Sequence, residues 1–184
     1  MKKGVILLIL ILIFLASYVS ALTINIKENY APGETLIASI EGNFLTPLTP
    51  EQIYFYSGRT QIPLVYDLGK IQDKYYIYAL LPTDEKNLSL VIKQAHYLEA
   101  LKEYNQDIIK NFSISGSIIP FSVSPGFIIT NKDFEIKIQS IGKAVTASSD
   151  FFSNAQEVYV PESQQGKIKF SISDIENFTI TEIK

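Results

Sequence analysis

The chain has 184 residues, 47% of them hydrophobic, with a formal charge of −3, no cysteine, no tryptophan and one histidine. High apolar content with little net charge marks a globular chain rather than a disordered one. Without Cys there are no disulfide scaffolds, thiolate metal sites or thiol nucleophiles; one His excludes two-His metal sites, and a pI near 5.2 argues against a nucleic-acid partner.

The N-terminus carries the first signal. Lys2 and Lys3 precede an almost unbroken apolar run from Gly4 to Leu15, followed by Ala16-Ser17-Tyr18-Val19-Ser20-Ala21. Charged, apolar and small residues in that order predict a secretory signal peptide over 1–21, cut before Leu22. The alternative is an uncleaved anchor over 4–22, close to the length of about 20 apolar residues that spans a bilayer. Either way the chain is expected to be exported, with membrane contact only through this segment if it is retained.

Beyond Leu22 the chain alternates short apolar–polar stretches with turn residues, the pattern of β-sandwiches. Thr23–Lys27 and Leu36–Glu41 read as strands around a turn at Asn29–Glu34, where Pro32 fixes φ and Gly33 is permissive. Ile53–Tyr56, Gln61–Tyr66, Lys74–Leu81 and Asn87–Lys93 read as further strands, with a turn at Asp67–Lys70. Gln94–Lys110 fits a short helix or a loop returning into a strand, and its conformation stays open. Next come strands at Ser117–Ser124, Phe134–Gln139, Ala144–Ala147, Gln156–Val160, Lys167–Ser173 and Phe178–Ile183. The second segment is shorter than the usual sandwich of ~100 residues. Its last strand stops without a turn, so either more chain or another molecule is expected to complete the edge.

Tyr30-Ala31-Pro32-Gly33-Glu34-Thr35 resembles the opening of macroglobulin-like and bacterial immunoglobulin-like sandwich modules. Ser124-Pro125-Gly126, an alternating strand and a turn at Gly142 resemble the same class in the second segment. The resemblance implies a surface module of two tandem sandwiches. With the strand pattern and the apolar N-terminus, the expectation is an all-β chain of two tandem immunoglobulin-like β-sandwich modules, 22–112 and 113–184, after an N-terminal apolar helix. Complete macroglobulins build a thioester on Cys; this chain has none, so protease trapping is not carried over. Lys3-Gly4-Val5-Ile6 resembles the cleavage site of archaeal type IV pilin-like proteins, which implies a filament subunit. It departs from the bacterial pilin pattern in having Ile9 where an acidic residue stands.

No catalytic constellation emerges. His96 lies near Glu99 and Glu103, but no Gly-x-Ser-x-Gly elbow accompanies it, so it reads as a surface or junction histidine. Glu51, Asp67, Asp73, Asp84 and Glu85 sit near turns and specify neither a glycosidase pair nor an EF-hand, so no metal, cofactor or catalytic residue is assigned.

Tyr54, Tyr56, Tyr76 and Tyr78 are the candidate binding residues. Each pair shares a strand face, and two such strands side by side would present polar-tipped rings to a sugar or a protein partner. Cross-strand aromatic pairing is the plainer account of the same residues. Asn87-Leu88-Ser89, Asn111-Phe112-Ser113 and Asn177-Phe178-Thr179 are N-glycosylation sequons, which read as surface positions in an exported chain. The expectation is a non-catalytic exported cell-surface structural or adhesion protein, with surface proteins or glycans as partners. A carbohydrate-binding module and a pilin-like subunit are the alternatives.

Overall fold

A computed structural model describes residues 22–151 and 154–171. The apolar N-terminal segment, Asn177 and the strand expected at Phe178–Ile183 lie outside the described residues. The fold is all-β: strands account for 61% and helix for 2%, in several sheets arranged like sandwiches.

The first sandwich packs two sheets face to face. Its four-stranded sheet has the order β1 (Thr23–Asn25), β3 (Thr35–Glu41), β8 (Lys74–Leu80), β7 (Tyr66–Ile71), all antiparallel. The six-stranded sheet has the order β2 (Asn29–Tyr30), β10 (Lys102–Ile114), β9 (Lys86–Glu99), β5 (Ile53–Ser57), β6 (Thr60–Gln61), and β4 (Asn43–Phe44) also pairs with β9. Only the β2–β10 pairing is parallel among the described strands. Alternation supplies the core. Leu36, Ala38 and Ile40 of β3 and Ile77 and Ala79 of β8 face Ile53, Phe55, Leu88, Leu90, Ile92, Phe112 and Ile114 of the other sheet. Each large apolar side chain so buried contributes about 1.5–3 kcal/mol.

The turn before β3 forms as its residues require. The Ala31 carbonyl accepts the Glu34 N–H at 3.0 Å, Pro32 leads, and Gly33 takes φ +81°, a type II geometry. The Glu34 carboxylate accepts the Ala31 N–H at 2.9 Å and pairs with Lys27, closing the turn from both ends. Between β4 and β5, a 3₁₀ turn at Pro50–Gln52 is pinned by Gln52, whose side chain accepts the Thr49 N–H and donates to the Lys93 carbonyl at 2.9 Å.

Four local expectations are corrected. Gln61–Tyr66 is not one strand: Pro63 has no N–H for a ladder, and the chain there crosses from the six-stranded to the four-stranded sheet. Asp67–Lys70 is not a turn but the middle of β7, and the reversal lies at Gln72-Asp73, with Gln72 at φ 55°. Gln94–Lys110 is neither helix nor loop but most of a long hairpin, β9–β10, reversed at Ala100-Leu101. The strand expected from Ser117 begins only at Phe121, because the Ile119 N–H is bonded to the Pro32 carbonyl instead of to a ladder.

The second sandwich is smaller. β11 (Phe121–Ser124), β12 (Phe134–Ser140) and β15 (Gln165–Phe170) form one sheet in that order; β13 (Val145–Phe151) and β14 (Asn154–Val160) form a hairpin over it. Among the described residues its buried core is Ile138, Val160, Ile168 and Phe170, with the Phe134 ring stacked on Phe170 at 4.9 Å. Phe134 and Ile136 pack on this core, as their alternation predicts.

Candidate functional site

The outer face of the six-stranded sheet collects the polar and aromatic residues that alternate with its core. In β5, Ile53 and Phe55 are buried, which turns Tyr54 and Tyr56 outward. Register then extends each Tyr into a row. Tyr56 lies opposite Ser89, which lies opposite Asn111; Tyr54 lies opposite Val91, which lies opposite Ile109. A third row joins Asn87, Ser113 and, through the parallel pair, Asn29.

The two ring centroids are 6.4 Å apart and tilted by 33°, so the phenols form a short platform beside the amides and hydroxyls. Ser89 donates to the Asn111 Oδ1 at 2.8 Å, and the Ser113 hydroxyl bonds with Asn29. The amide and hydroxyl rows line an open groove of about 800 Å³ bounded by Glu28 and Lys110, with Gly58 at its rim. Ile109 is 62% exposed in the middle of this face.

Next to the rings, Lys93 pairs with Asp107 at 2.6 Å. That contact holds the Asp107 carboxyl below its ordinary range, helped by the Gln94 N–H, and raises the Lys93 ammonium. These two charges therefore compensate each other, and the face presents amides, hydroxyls and aromatic rings, with Glu28 and Lys110 at the border of the groove. Amides offer both donors and acceptors, and tyrosine combines a flat apolar face with a hydroxyl.

The four candidate Tyr do not form one surface. β5 neighbours β9 and β6, whereas β8, which carries Tyr76 and Tyr78, lies in the opposite sheet. Tyr78 is buried, and Phe127 packs against both rings, with centroids at 5.6 Å from Tyr78 and 6.5 Å from Tyr76. Strands expected side by side are thus separated by the whole core, and half of the expected aromatic face is covered.

Asn87 and Asn111 are both exposed on the groove. Their sequons interlock: Asn87 faces Ser113, and Asn111 faces Ser89. Sequence reasoning missed Asn29, Ser89, Ser113 and Ile109 as members of this site. Two Asn-x-Ser triplets on alternating stretches were the available signal, but their pairing depends on where the hairpin turns.

His96 pairs with Glu103 across the hairpin, and its cross-strand neighbour is Asn105. Asp67, within β7, accepts the Leu68 N–H at 2.8 Å, Asp73 lies in the turn before β8, and Asp84 pairs with Lys86.

No protein-family model matches the chain, and no curated protein matches it. One solved structure similar to it is native alpha-2-macroglobulin from Escherichia coli, spanning domains MG0-NIE-MG1, at 11% identity and a TM-score of 0.35. The match takes in 86% of this chain and 61% of that one, so the chain spans about three fifths of its neighbour's length. The resemblance to macroglobulin-like domains is a distant one.

Proposed function

We propose that this is a non-catalytic, exported cell-surface module that binds carbohydrate through the outer face of its six-stranded sheet. One observation carries the reading: Tyr56 stands in register with the Ser89–Asn111 row, with the Tyr54 ring beside it, and that row and the Asn87–Ser113–Asn29 row line an open groove. Neighbouring rings beside neutral hydrogen-bonding groups suit a ligand that is flat and apolar on one face and rich in hydroxyls at its edge. A sugar ring has that character. Export is supported by the Lys2-Lys3 and Gly4–Ala21 pattern, and adhesion is the role that glycan binding at a cell surface would serve.

A glycan array probed with the chain from Leu22 to Lys184 tests the reading. Tyr54→Ala with Tyr56→Ala is expected to weaken the strongest signals by about tenfold or more, each ring contributing on the order of 1 kcal/mol. Tyr76→Ala with Tyr78→Ala is expected to leave binding per folded molecule unchanged. Undiminished binding by the first pair, or no glycan bound by the wild type, would defeat the proposal.

A further inference from the structure

We infer that the two sandwiches are locked by a close-packed seam into one rigid unit that unfolds as a whole, rather than being joined as independent beads. Tandem modules with small, polar contacts move relative to each other by default, so a rigid junction needs a specific structural cause. Here three glycines supply it.

Gly69 of β7 lies directly under Phe127. A Cβ at Gly69 would stand 2.4 Å from the ring and 3.2 Å from Ile129. Gly126 approaches β8 so closely that its Cβ would fall 2.6 Å from the Tyr78 Cβ. Gly33, in the turn before β3, would meet Ile141 at 2.8 Å. Gly69 and Gly126 do not take a positive φ, so what requires glycine there is space rather than backbone conformation. Real Cβ atoms do not approach neighbours this closely, and dispersion contact at this range is lost steeply when a gap opens.

Directional bonds cross the same seam. The Thr35 hydroxyl donates to the Val123 carbonyl at 2.9 Å, and the Ile119 N–H donates to the Pro32 carbonyl at 3.1 Å. Phe127 meets the Tyr78 ring edge-on, at 83°. Glycine contacts, hydrogen bonds and aromatic packing therefore all join the first sandwich to 119–129 and 141 of the following segment. The second sandwich has reason to depend on this contact. Its buried core among the described residues is four side chains, and cores of that size are marginal without added burial.

The experiment is scanning calorimetry with small-angle X-ray scattering on the chain from Leu22 to Lys184. The wild type is expected to show one unfolding transition and scattering that fits a single compact shape. Phe127→Ala and, separately, Gly69→Val should split the transition in two, lower the first midpoint and enlarge the maximum dimension. Tyr159→Ser, at a position 66% exposed on the far hairpin, should keep one transition. If Gly69→Val fails to fold, Phe127→Ala carries the test, since it deletes a contact without creating a clash. Two transitions in the wild type, or a Phe127→Ala chain that keeps one transition and an unchanged scattering curve, would overturn the inference. Neither result depends on whether the chain binds a glycan.

Discussion

Tyrosine serves three different purposes in this chain, and the sheet face on which it stands decides which. Tyr30 is in the core, 2% exposed, with its hydroxyl accepting the Lys27 N–H, and burial pushes its phenol up to about 12. A raised folded value means that the neutral form is favoured by folding. The stabilisation is therefore complete below the unfolded value near 10 and is lost as pH climbs towards 12. Unfolding midpoints in urea should hold steady up to about pH 10 and then fall, and Tyr30→Phe should flatten that limb. Tyr76 and Tyr78 seat Phe127 in the seam, while Tyr54 and Tyr56 stay on the open face. The sequons add a second test at this scale. A glycan on Asn87 or Asn111 would occupy the groove, so chain made in a glycosylating host should bind sugars more weakly than chain made without that machinery. Equal binding by two preparations whose modification differs by mass would place the ligand elsewhere.

The β9–β10 hairpin is the element on which the site depends, and it was the least legible part of the sequence. Its reversal uses Ala100 at φ 47° and Leu101 at φ 64°, a mirror-image turn that normally calls for Asn-Gly. Leu101 is 94% exposed at the tip, so no local burial accompanies the unfavourable conformation. Residues of this kind carry no turn signal, which is why 94–110 resisted assignment. Replacing them by Asn and Gly should raise stability by about 1–2 kcal/mol, read as a shift of the urea midpoint. The second hidden feature is a bulge between Ile92 and Ala95, where Lys93 and Gln94 oppose Asp107 alone. Asp107 holds it by accepting from the Lys93 ammonium and, at 3.0 Å, from the Gln94 N–H. Its carboxyl is depressed, so its contribution is present above the unfolded value near 3.9 and is lost as pH falls through the folded one. Melting temperatures should drop below about pH 4 in the wild type and less steeply in Asp107→Asn. By contrast, the Pro32-Gly33 turn, the faces of β3 and β5 and the alternation in β12 were readable, because periodicity and turn chemistry there agree. Gly69 reads as a turn residue because a glycine needed for close approach looks the same in sequence as one needed for a turn.

At the scale of the molecule, the two faces of the first sandwich have opposite fates. The outer face of the four-stranded sheet is covered at Gly69, Tyr76 and Tyr78 by the chain itself, through Phe127. The outer face of the six-stranded sheet keeps its rings, amides and groove open. Sequence alone showed two aromatic strands; only the sheet order shows that they lie back to back. The most direct test of this division is an NMR titration of the chain from Leu22 to Lys184 with the oligosaccharide that gives its strongest array signal. Saturable shifts are predicted at Tyr54, Tyr56, Ser89 and Asn111, with Tyr76, Tyr78 and Phe127 unmoved. Shifts centred on Tyr76 and Tyr78, or on the Ala100-Leu101 tip, would contradict it.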